Sequence, residues 1–212
     1  MLKTYRTVEQ LGQAEIVIEK STFIGYAKPV SNEEEALAFI QEIKKKHRDA
    51  THNVPAYVLG EHNEIQRCND DGEPSGTAGV PVLEVLKKKE DVRDVAVVVT
   101  RYFGGIKLGT GGLVRAYTRG AKIALEAAKI ITKVLYQVIV VTVDYTMLGA
   151  LQNQLRLNQY DTKDIIYDEL VHLHVWVEQD DVANFKAQII EWTNGRAVLA
   201  DGEISYKVVE GN

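Results

Sequence analysis

Residues Val97–Lys122 read VVVTRYFGGIKLGTGGLVRAYTRGAK. Six glycines surround Arg101 and Lys107, and Arg115, Arg119 and Lys122 follow. Glycines between a strand and a helix let the backbone approach an anion, and a helix N-terminus offers free N–H groups. Arg forks and Lys point charges both suit phosphate. Gly104 and Gly109 have the phosphate-loop spacing, but Thr110 and Gly111 stand where Lys and Ser/Thr belong, so a nucleoside triphosphatase of that type is excluded. The dinucleotide fingerprint also fails, because Val114 occupies the place of its third glycine. Two readings stay open: a generic anion site, and a tight turn that needs glycine for positive φ and nothing more.

The cations bear on that choice. Arg115, Arg119 and Lys122 recur at i, i+4 and i+7 as one helical stripe, with Leu113, Tyr117, Ala121, Ala124 and Ala128 on the apolar face. A charged stripe is ordinarily a solvated face. Arg115, however, falls near the positive end of the helix dipole, a cost that an anionic partner offsets. The expected anion-binding set is therefore Arg101, Lys107, Arg115 and Arg119 with Gly104, Gly105, Gly109 and Tyr102, and Arg101 and Lys107 are expected at one mouth. Phosphate backbone is the expected partner.

Other residues could do chemistry of their own. Asp70, Asp71 and Glu73 have the types of a general base or metal ligand, but Asp-Gly followed by Glu-Pro is ordinary turn chemistry and no EF-hand spacing is present. Ser75 lacks the flanking glycines of a nucleophile elbow. Cys68, the one cysteine, ends a strand and reads as a small half-buried hydrophobe rather than a nucleophile. His47 and His52 lack the helical spacing of a zinc protease. Tyr26, Tyr57, Tyr102 and Phe103 could stack on bases, with core or groove-lining positions as the plainer role. No cofactor or metal is expected.

These residues need elements to hold them. The chain has 212 residues, is 45% hydrophobic and 26% charged, and fits one large domain or two small ones. No run approaches a membrane span, the first fifteen residues lack an apolar signal core, and a single cysteine fits a reducing compartment. A cytoplasmic location is the expectation. Net charge is −5, yet residues 1–130 hold 19 Lys/Arg against 18 Asp/Glu while residues 131–212 hold 6 against 12. All four prolines and most glycines also precede residue 130. Both shifts set the expected domains at 1–130 and 131–212.

The first domain reads as α+β. Strands are expected at 14–20 and 23–30. A helix follows, with Ser31 and Glu34 as a capping box and Ala36, Phe39, Ile40 and Ile43 as its face. A hairpin is expected around Gly60–Asn63, then a turn-rich loop at 69–79, a short helix and a buried strand over 92–101. The glycine loop and a helix of about 17 residues complete it. The second domain reads β-α-β-β-α-β, the ferredoxin-like order, with Asp180 or Asp181 capping its second helix and Gly195 stopping it.

Three stretches in order, ATHNVPAYVLG, DDGEPSGTAGVPVLEVL and VVVTRYFGGIKLGTGGLVRAY, resemble the IMPACT family, whose bacterial members form the YigZ group. They span residues 50–117. The resemblance implies a ribosomal-protein-like α+β domain similar to domain IV of elongation factor G and to RNase PH, followed by a ferredoxin-like domain. In eukaryotes the family regulates translation under amino-acid starvation through a kinase pathway, with an extra N-terminal domain; that role is not expected to carry over. The matching motif surface is His52, Asn53, Asp70, Asp71, Glu73 and Ser75, and the family implies no catalytic residues. The expected function is RNA or ribosome binding that modulates translation, with a protein partner for the second domain and no membrane. The alternatives are an enzyme acting on a small anionic substrate at the same groove, including the peptidase label some bacterial members have borne, and a protein-binding adaptor.

Overall fold

A computed structural model describes residues 1–89 and 91–209. By compactness the chain divides into residues 5–132 and a second unit of residues 133–209 with Met1–Thr4. Both units mix strands and helices, and the architecture is a two-domain α+β fold.

The larger unit is built on a five-stranded antiparallel sheet in the order β2-β3-β6-β4-β5. These strands are β2 (Gly12–Ile18), β3 (Ser21–Pro29), β4 (His52–Leu59), β5 (Ile65–Cys68) and β6 (Val95–Tyr102). Glu19 and Lys20 join β2 to β3 with φ of +45° and +61°, so a two-residue turn of left-handed backbone sets the register. The turn lies two residues earlier than the sequence reading placed it. The central strand β6 is covered on both sides. Val95, Val97 and Val99 pack towards α3 (Gly109–Ala127), while Ala96 and Val98 pack towards α1 (Glu33–Lys46). Burial on both faces explains its unbroken apolar run.

Helix α1 buries Ala36, Phe39, Ile40 and Ile43 as expected. Its cap is shifted by one residue from the expected box. Asn32 is the N-cap and its Oδ1 accepts from the Glu35 N–H at 2.9 Å, while the Ser31 backbone N–H donates to the Glu35 carboxylate at 2.8 Å. A short helix, α2 (Gly79–Glu84), runs into a π-helical turn at Val85–Lys89.

The smaller unit follows β7 (Ile130–Val143), α4 (Tyr145–Leu157), β8 (Asp161–Tyr167), β9 (Val171–Glu178), α5 (Val182–Trp192) and β10 (Val198–Val209). In the sheet, β9 lies between β8 and β7, and β10 pairs with β7. The first strand of the chain is β1 (Thr4–Val8). Val171, Leu173, Val175 and Val177 alternate onto the helix-covered face, which is how period-two patterning buries one side. Gly195, at φ +72°, follows α5, and Asp181 is its N-cap residue. The Asp181 side chain caps no backbone N–H; it accepts from the Tyr160 hydroxyl and the Asn184 amide instead. No helix among the described residues is long and apolar enough to cross a membrane.

Candidate functional site

The sheet register assembles the site. Arg101 near the end of β6 pairs with Phe23 of β3 and His52 of β4. Its guanidinium stacks near the rings of Phe23 and Phe103, 5.5 and 5.4 Å from their centroids. The Asn69–Gly79 loop then delivers Glu73 to it, and Nη1 of Arg101 donates to Glu73 Oε1 at 2.6 Å. Tyr117 from α3 donates its hydroxyl to the same oxygen at 2.7 Å. Arg101 is 5% exposed and Glu73 8%. The sequence reading treated Arg101 as a phosphate grip. In the fold its guanidinium is spent mainly on Glu73, because a charge at that depth is tolerated only when paired. Burial, and then the bond to Glu73, push the Tyr117 phenol well above its usual range.

The other loop acids are also engaged. Asp70 accepts from the backbone N–H groups of Gly76, Ala78 and Gly79 at 2.8, 3.1 and 2.8 Å. Burial pushes its carboxyl up, but the three donors together outweigh burial and hold it below the ordinary carboxylate range. Asp71 accepts from Lys44 Nζ at 2.6 Å and from the Asn53 N–H at 2.7 Å. Lys44, part of the basic run at the end of α1, is thereby committed. Asn53 is buried; its amide donates to the His47 carbonyl and accepts from the Thr100 hydroxyl. Ser75 is exposed in the same loop. Cys68 is half-buried, and burial raises its thiol. Among the described residues no three His, Cys, Asp or Glu side chains gather as a metal site.

His52 contacts the Asp71 carbonyl through Nδ1 at 2.8 Å. A carbonyl only accepts, so neutral His52 carries its hydrogen on Nδ1. Its Nε2 lies 3.7 Å from Glu73 Oε1. His47 bridges the hydroxyls of Tyr26 and Tyr102 at 2.7 and 2.9 Å, and Tyr102 donates on to Asp49 at 3.2 Å. Tyr102 is thus half-buried and hydrogen-bonded at its hydroxyl. Burial, then Lys46, lower the His47 pKa. Of the four aromatics that could stack on bases, Tyr26 and Tyr57 are core residues, and Phe103 stands out at 47% exposed.

The glycine loop meets the needs of a tight turn. A Cβ at Gly104 would collide with the Lys20 carbonyl, so that glycine permits close packing on the β2–β3 turn. Gly105 and Gly109 have φ of +86° and +70° in open space, so they are needed for the backbone bend. No side chain caps the start of α3, whose first N–H groups therefore lack a capping partner.

Two concavities meet at this helix start. One is a groove of about 560 Å³ lined by Lys107, Arg115 and Arg119 and by the acid Glu19, with Ile18, Ile106, Leu108, Gly112 and Ala116 as its apolar part. Those three cations are exposed and have no ion-pair partner among the described residues. The other is a pocket of about 440 Å³. His52, Glu73, Arg101 and Thr51 form its polar part, and Pro74, Phe103, Leu108 and Leu113 its apolar walls. Lys107, Gly109 and Thr110 complete its lining. Arg101 and Lys107 therefore share a pocket, while Arg115 and Arg119 belong to the groove. Sequence reasoning missed the roles of Thr51, Pro74, Leu108 and Thr110. Tyr117 was read only as apolar, although a buried phenol needs an acceptor and that need was the available signal.

A family model described as the Impact N-terminal domain matches residues 19–125. A second, a domain of unknown function termed DUF1949, matches residues 141–196. The chain is 50% identical over 206 residues to the IMPACT family member YvyE of Bacillus subtilis, covering 97% of this chain and 94% of that protein. It is 36% identical over 186 residues to the IMPACT family member YigZ of Escherichia coli, covering 86% and 90%. A crystal structure of a hypothetical protein matches with a TM-score of 0.60 at 30% identity, over 96% of this chain and 99% of that one.

Proposed function

The chain belongs to the IMPACT family, and on that premise we propose that it binds RNA or the ribosome in the cytoplasm and modulates translation. The observation that carries the reading is the groove of Lys107, Arg115 and Arg119 beside the uncapped start of a 19-residue helix. Three exposed cations lining one groove make a patch of positive potential that attracts an anion. A phosphate backbone supplies charges in a row, and the helix dipole favours a phosphate at its N-terminus. The implied likeness of this domain to domain IV of elongation factor G points the same way. The acidic second unit suits a protein partner better than nucleic acid.

The test is co-sedimentation with purified ribosomes and with ribosomal RNA across a salt series. Wild type is compared with the Lys107/Arg115/Arg119→Ala variant. Arg101 is left out, because removing one partner of a buried pair costs about 3–5 kcal/mol and would report folding instead of binding. The expected outcome is weaker binding with a salt slope shallower by roughly 0.7 per single-strand phosphate contact removed. Equal affinity and equal slope in the two proteins would overturn the reading.

A further inference from the structure

The smaller unit holds a hollow of the opposite sign to the groove, with a volume of about 440 Å³. Three aromatic residues, Tyr136, Tyr160 and Trp176, line it together with three acids, Asp161, Glu178 and Asp181. Among the described residues its lining holds no cation. Strand register gathers this set, since Tyr136 pairs with Glu178 and Asp161 with Trp176. The Tyr136 and Trp176 rings stand nearly perpendicular at 87°, their centroids 6.2 Å apart. The C-terminal end of α4 reaches the same hollow through its C-cap residue Asn158.

Several observations agree that a cation belongs there. The Tyr136 hydroxyl donates to Glu178 Oε1 at 3.1 Å and the Tyr160 hydroxyl to Asp181 Oδ2 at 2.6 Å. Neither Glu178 nor Asp181 has an ion-pair partner among the described residues. Burial, and then the Glu178 charge, push the Tyr136 phenol up to about 12. The end of α4 adds the partial negative charge of a helix C-terminus. The molecule's own lysines already approach these rings. Lys163 Nζ lies 5.1 Å from the Trp176 centroid and Lys207 Nζ 5.5 Å from that of Tyr136, within cation–π range. Those lysines are bonded to Glu203 and Asp161, which leaves Glu178 and Asp181 for a cation from outside.

The aromatic walls select among cations. A metal ion or an ammonium is compact and strongly hydrated, and it makes little use of flat rings. A guanidinium is planar and weakly hydrated, stacks on aromatic faces and offers a fork of donors to carboxylates. Asn158 donates through its amide nitrogen to the Gln154 carbonyl at 2.9 Å, so its oxygen remains as a further acceptor. The volume falls in the usual range for small-ligand sites, enough for a whole side chain.

We propose that this hollow binds an arginine side chain presented by a basic segment of a partner protein, with the guanidinium against Tyr136 and Trp176 and bonded to Glu178 and Asp181. The choice of a protein segment rests on the reading that the acidic second unit meets a protein. The test is calorimetric titration of the full chain with a short peptide of alternating arginine and glycine. The same peptide is made with lysine, and with citrulline, which keeps the shape of arginine and loses its charge. The arginine peptide is expected to bind about tenfold or more tightly than the citrulline peptide, and several-fold more tightly than the lysine peptide. Glu178→Gln is expected to weaken it about tenfold, the worth of one charge-assisted hydrogen bond. Glu169→Gln removes the same charge from an exposed acid outside the hollow and is expected to change nothing. Both positions are exposed, and circular dichroism checks that both variants fold. Equal affinity for the arginine and citrulline peptides would overturn the proposal, as would equal losses in the two variants. A lysine peptide bound as tightly would overturn the choice of guanidinium and leave a protein partner standing. Spermidine competing on equal terms with the arginine peptide would instead overturn the protein reading. The groove is judged by its own variant and salt series, so the two sites can fail separately.

Discussion

At the scale of single residues, depth decides what a charge is for. Arg101 and Arg115 looked alike in the sequence, yet one is buried against Glu73 and the other lines an open groove. Asp70 shows the same logic for an anion. Three backbone donors hold its carboxyl below the ordinary range and staple the loop that carries Glu73. Its folded pKa lies below the unfolded value of about 3.9, so its stabilising effect is complete above that pH and is lost as pH falls through the folded value. Asp70→Asn is expected to cost about 1–3 kcal/mol near pH 7, and the gap to wild type should narrow towards about pH 3. Urea unfolding at the two pH values measures it. A gap that stays constant would mean that the charge of Asp70 plays no part.

At the scale of elements, periodicity was legible and capping was less so. Helix α1 was recognisable from Ala36, Phe39, Ile40 and Ile43, because a 3.6-residue repeat survives in any tertiary context. Its cap was misplaced by one residue. Ser31 and Asn32 are both good caps by type, and only the backbone entering the helix chooses between them. Asn32→Ala should cost about 1 kcal/mol, whereas Ser31→Ala should be near neutral because only its backbone N–H is used. Thermal denaturation of the two variants checks this, and the reverse order would restore the sequence-based assignment. Helix α3 shows the opposite limit. Gly25 sits against the Gly120 carbonyl so closely that a side chain there would collide, and no local pattern announces which glycines meet.

At the scale of the whole molecule, strand pairing reaches far along the chain. Within the smaller unit the Leu135 N–H donates to the Lys3 carbonyl at 2.8 Å. The Tyr206 hydroxyl donates to the Leu2 carbonyl at the same distance. Removing Met1–Thr4 should therefore speed amide hydrogen exchange at Leu135 and lower the unfolding midpoint of the smaller unit. Unchanged exchange at Leu135 would mean that this edge stabilises nothing. Sequence reading placed no element on these residues, since a short edge strand with mixed burial has little periodicity to show.

By itself the sequence determined the α+β class, the ferredoxin-like order of the second half, a buried strand read at residues 92–101, and the family through three motifs. These follow from local repeats and from residue identities, both of which are written along the chain. Only the tertiary structure decided that Arg101 pairs with Glu73, that Asp71 takes Lys44, and that Lys107, Arg115 and Arg119 line one groove with no ion-pair partner among the described residues. Those outcomes depend on which loop is folded against which strand end. Burial, and with it the choice between a structural ion and a free one, is a property of that packing and of no single stretch.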